Sequence, residues 1–165
     1  MNNEQLLAIA QNALGEQLTN AETERDGMIC LTITSGSLHG FMKTLRDEHG
    51  FNFLTSLCGV HYHEAQPVEL LGAVYILHNW TANVRMRVKC LVPKSEPNIP
   101  SMHDVWASAN WQERETFDFY GIIFEGHPNL TRILNVDEMD FFPLRKEYPL
   151  EEQTRNDKMD YMFGR

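Results

Sequence analysis

The chain contains no C-x-x-C pair. Its three cysteines, Cys30, Cys58 and Cys90, stand far apart, so the usual signature of a zinc or iron–sulfur site held by one chain is missing. Isolated thiols of this kind are expected as small buried hydrophobes in a reducing compartment. Also missing are G-x-S-x-G, G-x-x-x-x-G-K-[ST] and H-E-x-x-H. Nucleophile-elbow, phosphate-loop and zincin chemistry therefore have no basis here. Gly121 and Gly126 flank a strand-like run and do not open a helix. The longest strongly apolar stretch, Leu70 to Leu77, is far short of the ~20 residues of a membrane helix. Met-Asn-Asn-Glu-Gln at the start is not a secretory signal, since no basic region precedes an apolar one. There is no internal repeat and no low-complexity tract. Basic charge is scarce: 14 Lys and Arg face 23 Asp and Glu, a net charge of −9. Residues 1–112 carry 7 basic and 11 acidic side chains, and residues 113–165 carry 7 and 12. Neither part is a basic module, which argues against nucleic-acid binding through a broad surface. The expectation is a soluble, cytoplasmic protein that reaches a membrane only through a partner.

What is present suits about one globular domain: 165 residues, 42% apolar and 22% charged. Residues 4–14 read as an amphipathic helix, with Leu6, Leu7, Ala10 and Leu14 on one face and Gly15 as the stop. Residues 17–24 and 28–34 read as a hairpin turned by Asp26-Gly27. Ser35 or Ser37 can cap a second helix, 37–49, whose stripe is Leu38, Phe41, Met42 and Leu45. Strands follow at 52–63, 67–78 and 83–92. In the last, Val84, Met86, Val88 and Cys90 alternate with Arg85, Arg87 and Lys89. Both helices have a single apolar stripe and this strand has one charged face, so the helices should share one side of the sheet. Pro97 and Pro100 predict a loop over 94–100. Ser101 can cap a short helix to Trp106, and Asn110 with Glu113 a further segment ending near Gly121. Beyond 122 the periodicity fails.

The expected fold is α+β: a two-layer domain over 1–93 with a mixed, mostly antiparallel sheet. Its order is α-β-β-α-β-β-β, continued by a loop and helix over 94–121 to give a final α. Residues 122–165 form an extended C-terminal tail. That tail carries Phe141, Phe142 and Leu144, too apolar for a solvated linker, so it should lie on a partner.

Three clusters carry chemistry. His61 and His63 are two apart on a strand and share a face. That spacing can hold a metal if a third ligand joins, and otherwise it is a polar sheet face. Arg85, Arg87 and Lys89 form either a solvated face or a contact for an acidic partner. The densest run is Trp111 to Gly121. Arg114 and Asp118 sit four apart, a pair worth only ~0.2–0.5 kcal/mol when exposed. Trp106, Trp111, Phe117, Phe119 and Tyr120 surround these charges and cannot all share one face. A helix apolar on several sides is sandwiched, and carboxylates sandwiched with it need arginines. At least one of Glu113, Glu115 and Asp118 is therefore expected to pair with Arg114, Arg132 or Arg145.

Several stretches resemble a known family: Met86-Arg-Val-Lys-Cys-Leu-Val-Pro93; Pro97-Asn-Ile-Pro-Ser101; Trp106 with Ala109-Asn-Trp-Gln-Glu-Arg-Glu-Thr-Phe-Asp-Phe-Tyr-Gly-Ile-Ile-Phe-Glu-Gly-His-Pro-Asn-Leu-Thr-Arg-Ile-Leu134; and Pro143-Leu-Arg-Lys-Glu-Tyr-Pro-Leu150. Together they are similar to the C subunit of respiratory complex I, the thirty-kilodalton subunit of NADH–quinone oxidoreductase. The likeness covers about residues 84–150. Its signature falls on Glu113, Arg114, Glu115, Asp118, Gly121, Ile122, Phe124, Gly126, His127, Pro128, Leu130, Arg132, Ile133 and Leu134, then Pro143, Leu144, Arg145 and Lys146. Asn129 stands where the family usually has aspartate, Thr131 where a basic residue is common, and Phe142 where histidine often precedes the proline.

The resemblance implies a non-catalytic scaffold subunit with no cofactor or metal of its own. It would sit in the hydrophilic arm beside the large quinone-site subunit and the adjacent iron–sulfur subunit, with its tail across the large one. Iron–sulfur clusters, flavin and quinone would belong to those partners. The chain would support electron transport to quinone coupled to ion translocation, as a peripheral part of a translocase on the cytoplasmic face of the inner membrane. Two other readings stand beside it: the related subunit of a membrane-bound energy-converting hydrogenase, and a free-standing metal-dependent enzyme using His61 and His63.

Overall fold

A computed structural model describes residues 1–148. Pro149, Leu150 and the rest of the expected tail lie outside the described residues. Helix α1 (Asn3–Leu14) opens with a capping box: the Asn2 side chain accepts the Gln5 N–H and the Gln5 side chain accepts the Asn2 N–H. Strands β1 (Leu18–Thr23) and β2 (Ile29–Ile33) pair antiparallel as the expected hairpin. Helix α2 (Ser35–Asp47) buries the expected stripe. Its N-cap is Thr34, with no side-chain cap bond, and Ser35 is already helical. Strands β3 (Phe53–Tyr62), β4 (Leu70–Asn79) and β5 (Val84–Pro93) follow as an antiparallel meander.

The five strands lie in the order β1-β2-β5-β4-β3. Only β2 and β5 run parallel, so the sheet is mixed and mostly antiparallel. One face is set by register: Ile29, Leu31 and Ile33 align with Met86, Val88 and Cys90, which align with Leu77, Tyr75 and Ala73. These side chains and the stripes of α1 and α2 form one buried cluster. On the other face the Arg87 guanidinium meets Glu24 at 3.3 Å and Asp26 at 2.9 Å, and Lys89 meets Glu24 at 2.8 Å. Two of the three cations in the expected basic stripe are thus neutralised by the hairpin.

The second half departs from expectation in three places. The proline-flanked segment is not all loop: β6 (Asn98–Pro100) pairs in parallel with β7 (Ile123–Glu125), the first residues of the expected tail. Pro97 contributes only an acceptor, its carbonyl taking the Ile123 N–H at 2.8 Å. Residues 101–106 form turns and no helix, with the Val105 and Trp106 N–H groups both bonding to the Met102 carbonyl. Helix α3 (Ala109–Tyr120) has Ser108 as its N-cap, so Asn110 lies inside the helix. The buried cluster continues without a break through Ile99, Met102, Val105, Trp106, Ala109, Ile122 and Phe124.

Helix α3 covers the β3 edge of the sheet. An edge strand exposes unpaired N–H groups, and here the Leu57 N–H donates to Gln112 Oε1 on α3. The approach is close because Gly59 has no side chain. A Cβ there would lie 2.3 Å from the Tyr120 ring. Gly59→Val should lower stability by about 1–3 kcal/mol through overpacking, read by denaturant unfolding. Adding Tyr120→Ala should recover part of the loss. An unchanged midpoint for the single variant would show that α3 does not depend on this contact.

Candidate partner-binding site

The aromatic helix holds two buried carboxylates with opposite solutions. Glu113 and Asp118 are both fully buried. Asp118 is paired. Its Oδ1 takes an Arg132 guanidinium at 2.7 Å and the Asn135 side-chain amide at 3.1 Å. Its Oδ2 accepts three successive backbone N–H groups, from Ile133 at 3.1 Å, Leu134 at 2.8 Å and Asn135 at 2.9 Å. Burial raises its pKa, but these bonds outweigh it and hold the carboxyl well below the usual range. Among the described residues no arginine meets Glu113. Its Oε1 accepts the Met102 N–H at 2.6 Å and its Oε2 meets the Ser101 hydroxyl. Burial dominates and pushes it up to about 7.

The arginines are spent on the tail. Arg132 also donates to the Asp118, Met139 and Phe141 carbonyls, at 2.9, 2.7 and 3.1 Å. Arg114 does not meet Asp118, its neighbour four residues on. It donates to the carbonyls of Thr131 and Arg132 at 3.1 and 2.9 Å and lies over the Trp111 ring. Arg145 donates to the Tyr120 carbonyl at 2.7 Å, one of the last carbonyls of α3 that have no partner in the helix. Two guanidiniums lie over the Phe142 ring, Arg145 at 4.5 Å and Arg132 at 5.1 Å from its centroid.

Gly121 lets this clamp close. It ends α3 with φ +73°, and a Cβ would come within 2.5 Å of the Phe142 ring and 2.6 Å of the Arg145 guanidinium. Gly126, φ +82°, follows β7 and has open space around it. His127 is half-buried: its Nδ1 accepts the Asn129 N–H at 3.0 Å, which leaves Nε2 to donate to the Asn110 carbonyl at 3.1 Å. Pro128, Leu144 and Glu115 are exposed, and Pro143 is half-buried. The structure thus brings together Arg114, Asp118, Gly121, Arg132 and Arg145. Glu113 faces the 101–106 turn, and Glu115 is exposed.

His61 and His63 do gather carboxylates: with Glu69 and Glu147 they offer ligand atoms within 4.8 Å of one another. The charge there is already met. Lys94 lies 2.7 Å from Glu69 and 2.6 Å from Glu147. His61 Nδ1 accepts the Lys146 N–H at 2.9 Å, so its buried Nε2 carries the proton and offers no lone pair. No local pattern points to Lys94 in this role, because it stands in a loop far along the chain from both histidines.

Two pH effects of opposite sign follow. Glu113 has a folded pKa raised from 4.5 to about 7. Its contribution to stability is complete below 4.5 and is lost as pH rises towards 7. Asp118 is lowered from 3.8, so its contribution is present above 3.8 and is lost on acidification below it. Glu113→Gln should flatten the near-neutral limb of a stability–pH curve, and Asp118→Asn the acid limb. Arg132→Ala strands a buried carboxylate and should cost about 3–5 kcal/mol. A curve with the same slope in all three variants would contradict the assignment.

The family described as respiratory-chain NADH dehydrogenase, 30 Kd subunit, matches residues 31–154. The C subunit of NADH-quinone oxidoreductase from Mycobacterium sp. (strain KMS) is 42% identical over 146 residues, covering 84% of this chain and 62% of that protein. The corresponding protein of Acidothermus cellulolyticus, also a C subunit by name, is 40% identical over 149 residues, covering 87% and 75%. The chain therefore spans less than two thirds of the length of the mycobacterial relative. Among solved structures, a trypsin-resistant fragment of Nqo5 is 30% identical with a TM-score of 0.66, covering 76% of this chain and 99% of the fragment. The chain in the archaeal membrane-bound sulfane sulfur reductase shares the fold, with a TM-score of 0.72 at 19% identity. By its match over residues 31–154, the chain belongs to the family of the 30 Kd subunit of respiratory-chain NADH dehydrogenase.

Proposed function

We propose that the chain is a non-catalytic scaffold subunit in the hydrophilic arm of NADH–quinone oxidoreductase. Its tail would lie on the large quinone-site subunit, next to the iron–sulfur subunit. One observation carries this reading. The segment after α3 is fixed to the body by Asp118, Arg132 and Arg145, yet it turns apolar side chains to solvent. Leu134 is 65% exposed and Val136 62%, and Ile133, Phe141, Leu144 and Tyr148 are exposed too. Exposed apolar side chains on a backbone held in place in this way suit contact with another protein. The buried charges do not touch the partner. They hold the backbone that presents the apolar groups.

In this reading, which rests on the family resemblance, flavin, iron–sulfur clusters and quinone would be held by the partner subunits. The chain would contribute by keeping their spacing fixed. Among the described residues no helix is long and apolar enough to cross a membrane. Attachment to the cytoplasmic face of the inner membrane would then go through the assembled complex. Relatives at about 40% identity carry the quinone oxidoreductase name, which supports this reading over a hydrogenase subunit.

The test separates surface from clamp. Leu134→Asp and Val136→Asp, at exposed sites, should leave the unfolding midpoint of the chain within about 0.5 kcal/mol of wild type. Both should reduce the assembled complex seen on a native gel of mildly solubilised membranes. Arg132→Ala should reduce both. Normal assembly and normal quinone reductase activity in all three variants would overturn the scaffold reading.

A further inference from the structure

Behind the clamp, on the other side of α3, a hydrogen-bonded chain runs from the core to the surface. Glu113 is fully buried, and among the described residues no basic side chain pairs with it. Its Oε2 meets the Ser101 hydroxyl. The same hydroxyl lies 3.1 Å from Nδ1 of His103 and accepts the His103 N–H at 3.3 Å. Ser101 is 4% exposed, whereas His103 is half-buried and reaches water. This is not a nucleophile arrangement, because the carboxylate bonds to the serine and not to the histidine.

A serine hydroxyl has one proton and can donate to only one of its two neighbours. If it donates to the Glu113 carboxylate, His103 Nδ1 must carry a proton to make its own bond to Oγ. If it donates to a bare Nδ1, the Glu113 carboxyl must carry the proton instead. Both arrangements satisfy every group, and they differ only in where one proton sits. We propose that Glu113, Ser101 and His103 form a proton relay that holds one proton between the buried carboxyl and the protein surface. In the transfer the Glu113 O–H bond breaks and its proton goes to Ser101 Oγ. The original serine proton moves to His103 Nδ1. The products are a carboxylate, an unchanged serine and an imidazolium, and no oxidant or reductant takes part.

The surroundings keep the carboxyl protonatable near neutrality. The groups near enough to act on this carboxyl through charge are Asp104 of the 101–106 turn and the fully buried Tyr75 of β4, which in turn feels the Cys90 thiol of β5. None of these is a cation, and burial leaves Glu113 at about 7. The turn is held by α2, through His39 to Asp104 at 3.0 Å and Arg46 to the Val105 carbonyl at 2.7 Å. The His127 ring lies 6.1 Å from that of His103, and its two hydrogen bonds fix it as a neutral neighbour.

The test is an NMR titration of the full chain, with labelled glutamate carboxyl carbons and histidine ring nitrogens. Glu113 and His103 should share inflections, as two sites exchanging one proton do. Glu113→Gln keeps both bonds, its carbonyl accepting from Met102 and its amide donating to Ser101. In that variant the His103 ring signals should no longer follow a carboxyl partner. In Ser101→Ala the Glu113 and His103 curves should separate. If Glu113 stays ionised over the whole range in which the chain is folded, the relay is overturned. The same holds if His103 titrates as in the wild type in both variants. Should Glu113→Gln not fold, the Ser101→Ala curves decide alone.

Discussion

A carboxylate removed from water needs its charge met, and in this chain that requirement falls on Asp118. Its partners come from one short stretch, 132–135: a guanidinium, three backbone N–H groups and a side-chain amide. Those residues have no regular secondary structure, so their backbone groups would otherwise bond to water. The buried charge gives an irregular segment a defined path, which a helix or sheet would normally supply through its own ladder. Arg132 then bonds to the carbonyls of residues 139 and 141, extending that path. Arg145 and Phe142 close it on the end of α3. The site is a backbone template built from charge.

Much of the fold was legible because the first half of the chain obeys simple periods. The stripe Leu38, Phe41, Met42, Leu45 and the alternation through Val84 to Cys90 each have one solution, and the structure adopts it. The parallel β6–β7 pair was not legible. Its strands have three residues each and lie apart in sequence, too short for any period to register. Prolines at 97 and 100 argued against a strand there, yet the Pro97 carbonyl and the Ser101 N–H carry bonds to β7.

In the candidate site, sequence showed that buried carboxylates would need arginines but not which carboxylate would get one. Arg114 and Asp118 have helical spacing, yet Arg114 turns to the tail carbonyls. Asp118 takes Arg132, fourteen residues on. Glu113 takes a serine and a backbone N–H instead of a cation. These choices depend on where the irregular segment returns, and no local pattern encodes that. Phe142 illustrates the same limit. Read as a departure from the family's usual histidine, it is in the structure a ring that two guanidiniums lie over. A histidine there would lose its proton readily beside two positive charges, whereas phenylalanine carries none at any pH.

The dependence of Asp118 on residues that follow it fixes an order of events during synthesis. The sheet, α1, α2 and α3 all leave the ribosome before residue 132. Until then Asp118 has none of its partners and must stay hydrated. Helix α3 can therefore lie over β3 through Tyr120 and Gly59 while its far side is still wet. That side dries only when the next fourteen to seventeen residues have been made. A chain ended short of residue 132 would keep the residues of the sheet and α3 but none of the partners of Asp118. Such a chain would lack every exposed apolar side chain of residues 133–148.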